Sequence, residues 1–292
     1  MKRILCLFLC LLAILTLSAP AFADAVMCRA VIGADLNPEQ IEAVYASFGL
    51  RRGEVIELYL TNAEERRYLE GYVDDRMIGT RSISCVYVEL MPAGSGMSVN
   101  TNNISWCTGE MYASALATAG ITDARVLVAA PFAVSGTAAL AGVYKAYEDM
   151  TGVRLDDLAK SVSTQELTVT GDLAQQIGSM DSTSIVGELK LMLDQTQYMS
   201  DEEIRNIIID IAGRYNVRLT DTQINQLISL CRSLEGLNPD QLKQRVEEVQ
   251  GTLQKVSDAK TKLVGFAETV KQFMDSAGDF FEKLREFLNK FQ

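Results

Sequence analysis

The sequence lacks histidine: none of its 292 residues is His. Without an imidazole, the chain has no Ser-His or Cys-His nucleophilic pair, no histidine-containing zinc site and no imidazole general base. Few groups are then left to titrate between about pH 6 and 8. We therefore expect the stability of the fold to be nearly constant across that window.

Metal motifs and positive charge are also scarce. No two cysteines stand at C-x-x-C spacing and no D-x-D-x-D-G loop occurs, so neither a metal nor a cofactor is predicted. The chain has 27 Lys and Arg against 38 Asp and Glu, which gives a net charge of −11. A chain this acidic is not expected to bind nucleic acid or anionic lipid through bulk electrostatics.

The one long apolar run lies at the N-terminus. Lys2 and Arg3 precede apolar residues 4–17, and Ala21-Phe22-Ala23 follows. This is the layout of a secretory signal peptide at residues 1–23, with cleavage after Ala23. The run is shorter than the roughly 20 residues of a membrane span, although an uncleaved anchor is the alternative. We expect the mature protein to be secreted, extracellular or part of the cell envelope.

Local patterns predict an α+β fold in two parts. Asn37 and Pro38 read as the cap and first residue of a helix. From residue 54 to 131 the signals follow the order β-α-β-β-α-β, which is typical of a ferredoxin-like sandwich. In that order, "PAGSG" joins the strands "RSISCVYVEL" and "MSVNTNNISW". We predict this sandwich domain at residues 24–152, followed by an all-helical domain at residues 153–292.

The helical domain ends in a long amphipathic pattern over residues 262–292. Two apolar columns recur every seven residues and predict one helix. They are Leu263, Val270, Ala277, Leu284 and Phe291, and Phe266, Phe273, Phe280 and Phe287. The helix can pack on its own chain, associate with a second copy or contact a membrane surface. Its polar face mixes both charges and lacks the basic bias of surface-seeking helices, which favours burial against protein.

Four cysteines remain after cleavage: Cys28, Cys85, Cys107 and Cys231. Export into an oxidising compartment predicts at least one disulfide, but the sequence does not select the pairing. A regular hairpin around "PAGSG" would place Cys85 opposite Asn103, with Cys107 about 13 Å farther along the strand. A Cys85–Cys107 bond is therefore not expected, which favours Cys28 as a partner.

Ser135 follows a buried-type strand, where many α/β enzymes place a nucleophile. A nucleophile elbow needs glycines two residues before and two after the serine, but Ala133 and Thr137 occupy those positions. A Ser-Lys pair with Lys145 or Lys160 is the remaining option. Lys145, however, lies two turns into the predicted helix and points away from its start. No catalytic residue is predicted.

The segment "SGTAA" has a plainer interpretation. Ser135 or Thr137 would cap the following helix, and Gly136 would permit the tight turn. The free N–H groups of a helix start also suit a carboxylate or phosphate. Arg81 in "IGTR" would then supply a counter-charge. This is the weaker of the two hypotheses, because every helix start shares the property.

Acidic pairs and the single tryptophan are further candidates. Glu64-Glu65, Asp74-Asp75 and Asp156-Asp157 are each near a predicted helix end or loop, and adjacent acids rarely aim at one point. We interpret them as solvated or first-turn acids rather than catalytic or calcium-binding pairs. Trp106 could stack on a sugar ring, but a core or hinge position is favoured.

Several phrases resemble a known family. They are "YLEGYV", "IGTRSISCVYVE", "GSGMSVNTNNISW", "MYASALATAGITDARVLVAAPFAVSGTAALAGVYKAYE" and "YNVRLTDTQI". The resemblance is to an exported bacterial family catalogued as domain of unknown function 1002, and it spans most of the mature chain. It implies bacterial export, but it supplies no activity, cofactor or catalytic residue.

The resulting hypothesis is an exported, non-catalytic envelope or extracellular protein that binds a protein or a cell-wall component. The alternative is a hydrolase of an envelope polymer that uses carboxylates or a Ser-Lys pair. Two ionisable groups that converge in one deep pocket would favour the enzyme, whereas a broad apolar groove would favour binding.

Overall fold

A five-stranded sheet organises the N-terminal part of the chain in the computed structural model, which describes residues 27–249 and 251. The strands are β1 (Cys28–Gly33), β2 (Ile56–Leu60), β3 (Cys85–Leu90), β4 (Met97–Ile104) and β5 (Ala124–Val134). Their order across the sheet is β2-β1-β3-β5-β4. β1 pairs with β2 and β4 with β5 in parallel, and β3 runs antiparallel to β1 and β5. The carboxyl ends of the four other strands therefore meet at one edge.

The helices of the described part alternate with the strands and then continue alone. Those of the sheet domain are α1 (Pro38–Phe48), α2 (Asn62–Leu69), α3 (Asp75–Ile78), α4 (Gly109–Ala119) and α5 (Thr137–Thr151). They are followed by α6 (Asp157–Ile177), α7 (Ser179–Leu191), α8 (Leu193–Thr196), α9 (Asp201–Arg214), α10 (Asp221–Leu234) and α11 (239–249). The predicted α+β class is confirmed. The predicted signal peptide and the amphipathic segment 262–292 lie outside the described residues.

The strand order differs from the predicted ferredoxin-like arrangement. β5 lies between β3 and β4, so the predicted hairpin around "PAGSG" does not form. Strand β1 was not predicted from the sequence. The reason is burial. β5 presents Val126 and Val128 to one face and Ala129 to the other, all buried, so it needs a partner on each side. β4 exposes Ser98 and Asn100, which suits a sheet edge.

Helices cover both faces of the sheet. On one face, α1 packs Ile41, Val44, Tyr45 and Phe48 into a cluster with residues of β1 and β3. On the other face, α4 and α5 pack on alternate residues of the same strands, including Val31 and Val86. The period-two alternation of the strands therefore separates two apolar clusters within one sheet.

The C-terminal helices form a second apolar core and also contact the first. Ile204, Ile208, Leu227 and Leu234 belong to the second core, whereas Leu167 of α6 belongs to the core of the sheet. α6 and α7 pack against α4, with buried polar side chains between them. Helix α5 ends at Thr151, next to the predicted boundary, and the division of the chain into two domains at residue 152 stays a prediction. Between residues 27 and 251, no described helix has the length and hydropathy to cross a membrane.

Candidate functional site

A cleft of about 490 Å³ opens at the edge where the carboxyl ends of β4 and β5 meet the start of α5. Crevices outside the carboxyl ends of strands are the usual ligand sites of open α/β sheets. Side chains from five places converge on it: the end of β5, the start of α5, helix α2, helix α3 and the loop before β3. The strand-to-helix turn at Ser135 is thus part of this cleft.

Gly136 fixes the geometry of this turn. It is the N-cap of α5 with φ 97°, and a Cβ there would lie 2.5 Å from Ile104 Cγ2 and from the Tyr112 hydroxyl. The Tyr112 hydroxyl donates a hydrogen bond of 2.5 Å to the Gly136 carbonyl. Only glycine combines this left-handed conformation with such close neighbours. The predicted tight turn is therefore present.

The predicted cap is wrong, because no side chain caps the start of α5. Ser135 Oγ donates instead to the carbonyl of Met77 at 2.9 Å, and Thr137 Oγ1 donates to Glu65 Oε1 at 3.4 Å. Both hydroxyls are drawn away from the first-turn N–H groups by these partners. The first turn of α5 thus lies at the cleft without a side-chain acceptor for its N–H groups.

Glu65 is the buried acid of the cleft. Its side chain extends from α2 and is 1% exposed. Besides Thr137, Asn62 Nδ2 donates to it at 3.5 Å, so both of its hydrogen bonds are long. Burial raises the pKa of Glu65 to about 7, against the opposing effects of these donors and of Arg66. A carboxyl that titrates inside a cleft is a candidate functional group.

The neighbouring acid, Glu64, has a lowered pKa. Lys145 Nζ donates to Glu64 at 2.6 Å, and Glu64 completes a capping box with Thr61. Burial alone would raise the pKa of Glu64, but these hydrogen bonds outweigh it and hold the pKa at about 2. The first-turn interpretation therefore fits Glu64. Glu65 also stands in the first turn of α2, but it is buried rather than solvated. Its raised pKa adds a titrating group to the pH window in which few were expected.

Two arginines stand at the rim of the cleft. Arg76 of α3 and Arg81 of the following loop are exposed and line it. Neither guanidinium has a hydrogen-bond or ion-pair partner among the described residues. By contrast, Arg66 on the same side is engaged by Asp75 and the Gly79 carbonyl. Arg81 and the turn at Ser135 and Thr137, named together from sequence, are thus brought to one cleft.

The Ser-Lys option is not realised in this structure. Lys145 Nζ donates to the carbonyl of Tyr59 and to Glu64, both at 2.6 Å. Lys160 Nζ lies 3.0 Å from Glu148 and 2.9 Å from Asp157. Both ammonium groups are occupied away from the serine, so they cannot act as its base.

The structure pairs none of the four cysteines. Cys28 faces Glu89 across the β1–β3 ladder, so Cys85 lies about 13 Å farther along β3, beyond disulfide reach. Cys107 precedes α4, and Cys231 lies in α10 of the helical part. Burial raises the pKa of Cys85 and Cys107 to about 12 and that of Cys231 to about 11. This arrangement departs from the expected disulfide, and buried thiols of this kind are poor nucleophiles.

Trp106 lies beside a second, acidic cleft rather than in the first. This cleft, about 480 Å³ in volume, is also lined by Tyr72, Asp74 and Asp172. The indole packs directly on Gly171 of α6, and its Nε1 is buried without a partner among the described residues. Trp106 thus packs against the core of the sheet and against α6, which agrees with the core position. In residues 27–249 and 251, no group of three or more Cys, Asp or Glu is arranged to hold a metal.

Two residues of the cleft, Glu65 and Arg76, were not predicted from the sequence to line it. A signal for Glu65 was available, because it stands four residues before the fully buried Leu69 and therefore on the same face of α2. For Arg76 no local signal exists, since only the folding of α3 against the start of α5 brings it there.

Comparison with known proteins gives consistent matches. A family profile described as "Protein of unknown function (DUF1002)" matches residues 32–255. The sequence is 35% identical over 274 residues to the uncharacterized protein YpuA of Bacillus subtilis (strain 168), and the alignment covers 92% of each chain. No solved structure gives a significant match.

Proposed function

This chain belongs to the DUF1002 family, and from its cleft we propose an exported, non-catalytic protein that binds an anionic group of a protein or cell-wall partner. The observation that carries the proposal is a pair of guanidiniums, Arg76 and Arg81, which have no partner among the described residues and line a cleft that also receives the start of α5. Guanidiniums bind oxyanions through two parallel hydrogen bonds. The helix start adds a positive partial charge.

The balance of charge inside the cleft supports an anion rather than a cation. Among the described lining residues, Glu65 is the one acid, and its raised pKa keeps it about half protonated near pH 7. The remaining polar lining groups are hydroxyls and the two arginines. An anionic group of the binding partner would therefore neutralise the positive charge of the two arginines.

Export rests on the layout of residues 1–23. The test is the N-terminal sequence of the protein recovered from culture medium or cell envelope. A mature terminus immediately after Ala23 supports export, and an intact Met1 in the cytoplasm contradicts it.

The hydrolase alternative has one observation in its favour, which is Glu65. A carboxyl with a pKa of about 7 suits a general acid. No second acid lines the described cleft and no lysine reaches Ser135, so a carboxylate pair and a Ser-Lys pair are both missing from it. Binding is therefore the function that the geometry supports best.

The binding test is a chemical-shift titration of the isotope-labelled mature chain, residues 24–292. The probe is N-acetylalanine, which carries one free carboxylate, and its amide is the uncharged control. We expect shifts at residues 135–139, and Arg81→Ala should weaken binding roughly tenfold because a charge-assisted hydrogen bond is lost.

Arg67→Ala is the matched control, because Arg67 is an exposed arginine of α2 that does not line the cleft. It removes the same charge and should leave the affinity unchanged. An equal loss of affinity in both variants would mean that the overall charge of the protein, and not the position of Arg81, determines binding. Shifts confined to other parts of the chain would place the anion site elsewhere.

A further inference from the structure

Glu65 lies at the inner end of the cleft, behind the arginines and beside the first turn of α5. It is 1% exposed, whereas Arg76 and Arg81 are exposed at the rim. An anion held by the guanidiniums and by the start of α5 would therefore approach the Glu65 carboxyl. An ionised Glu65 would repel it, but a neutral Glu65 would donate a hydrogen bond to it.

The surroundings of Glu65 leave its charge uncompensated. Within α2, Arg66 is directed to Asp75 and the Gly79 carbonyl, so it forms no ion pair with Glu65. From the loop after β1, Asp35 acts on Glu65 as a like charge. From α4, the Tyr112 hydroxyl is committed to the Gly136 carbonyl.

The remaining neighbours do not change this balance. From α5, Thr137 offers one long hydrogen bond of 3.4 Å. Arg76 and Arg81 line the same cleft, but in the described part of the chain neither is paired with Glu65. The Glu65 carboxylate is thus stabilised by two long hydrogen bonds and by the charge of Arg66, and these effects do not offset its burial.

We infer that an ionised Glu65 takes up one proton when a carboxylate enters the cleft, and that the neutral acid then donates a hydrogen bond to that carboxylate. This inference rests on the proposed function and names the ligand class: a partner with a free carboxylate, such as a peptide terminus or a sugar acid. The proton comes from solvent, no covalent bond changes, and the complex contains one shared hydrogen between two carboxyl groups.

The pKa of Glu65 determines how strongly pH should change the affinity for the ligand. With a pKa of about 7 in the free protein, Glu65 is about nine-tenths protonated at pH 6 and about one-tenth at pH 8. If only the neutral acid admits the ligand, affinity for N-acetylalanine falls about tenfold between these pH values. At pH 7, binding takes up about half a proton for each ligand bound.

The experiment measures affinity for N-acetylalanine at pH 6 and pH 8 for the mature wild-type chain, Glu65→Gln and Glu64→Gln. The wild type should bind about tenfold more weakly at pH 8 than at pH 6. Glu64→Gln should show the same tenfold difference, because Glu64 has a pKa of about 2 and does not titrate between these pH values. Glu65→Gln is always neutral and keeps an N–H donor, so its affinity should be the same at both pH values. Glucuronate is the second probe, and a comparison of its affinity with that of N-acetylalanine shows whether the cleft prefers a sugar acid or a peptide carboxylate.

Calorimetry of the wild type at pH 7, in two buffers of different ionisation enthalpy, counts the protons taken up and does not depend on whether Glu65→Gln folds. Binding of the probe with no proton uptake and no pH dependence overturns this inference alone. Absence of binding at both pH values overturns the proposed function and this inference with it. A tenfold pH effect that persists in Glu65→Gln assigns the proton to another group and also overturns the inference.

Discussion

Lys190 Nζ lies 2.9 Å from Glu166 Oε1, and both side chains are 1% exposed. Lys190 also donates to Ser114 Oγ and Thr118 Oγ1 at 3.1 Å each, and both hydroxyls donate to Glu166. The pair therefore joins α6 and α7 to α4, which packs on the sheet. Each charge is buried and fully hydrogen-bonded, which is the condition for tolerating an ion pair in a core.

Removing one partner of this pair should destabilise the fold strongly. Lys190→Met leaves the Glu166 carboxyl buried without its cation, and we expect a loss of about 3–5 kcal/mol in the free energy of unfolding. The double variant Lys190→Met/Glu166→Leu should recover part of that loss, because no buried charge is left. Urea unfolding measures both. Arg51→Met, which breaks an exposed pair with Glu54, is the control and should barely shift the midpoint; an equal shift would mean that burial of the pair is unimportant.

Gly136→Ala should destabilise the protein more than Gly152→Ala. Both glycines have positive φ, 97° and 67°, but a Cβ at Gly152 meets nothing within 4 Å, whereas one at Gly136 meets Ile104 and Tyr112 at 2.5 Å. The left-handed conformation alone costs about 1 kcal/mol, and the clash adds to it. Thermal unfolding of the two variants compares them. Equal melting temperatures would show that the turn relaxes freely.

Stability should fall as the pH rises through 7. The pKa of Glu65 is raised from its ordinary value of 4.5 to about 7 in the folded state. Below pH 4.5 the group is protonated in both states, and above it the folded state binds the extra proton, so stability declines until pH passes the folded pKa. We expect a loss of about 1 kcal/mol between pH 6 and pH 8. Chemical unfolding at several pH values measures it, and Glu65→Gln should abolish the slope; a flat wild-type profile would restore the expectation from the histidine-free sequence.

The four cysteines of the mature chain should titrate as free thiols. Cys107 and Cys231 belong to two different apolar clusters, and Cys28 and Cys85 share a third. Within that third cluster, Cys28 pairs with Glu89 and so lies about 13 Å from Cys85 along β3, beyond disulfide reach. The measurement is thiol counting on the exported protein, denatured without reductant. Four reactive thiols agree with the structure. Two would demonstrate the disulfide that export predicts and would show that the fold rearranges around it.

Deleting residues 262–292 tests the amphipathic pattern that the sequence carries there. If its phenylalanine columns are buried against protein, in the same chain or in a second copy, the truncated chain should aggregate or melt at a lower temperature. Light scattering and thermal unfolding measure these effects. Membrane contact would be supported instead if the truncated chain stayed monomeric with unchanged melting and only the full chain bound liposomes.

Some features of this protein follow from sequence alone because they depend on neighbours in the chain. The helix start at Asn37 and Pro38 is found where the sequence predicts it. The capping box of Ser200 and Glu203 and the helix end at Gly120 follow the same local rules. Each is decided by hydrogen bonds within about one helical turn. The α+β class and the family also follow from such local patterns and phrases.

Tertiary structure alone decided the strand order and the cleft. The polar β4 and the mostly apolar β5 are both recognisable as strands in the sequence, but which strand pairs with which depends on how the whole sheet buries its faces. Likewise, Glu64 and Glu65 are equivalent acids in the sequence. A single residue's rotation around α2 places one beside Lys145 and the other in the interior against Thr137. The pKa values of Glu64 and Glu65 differ because desolvation and charge pairing depend on residues that are distant in the chain and close only in the folded protein.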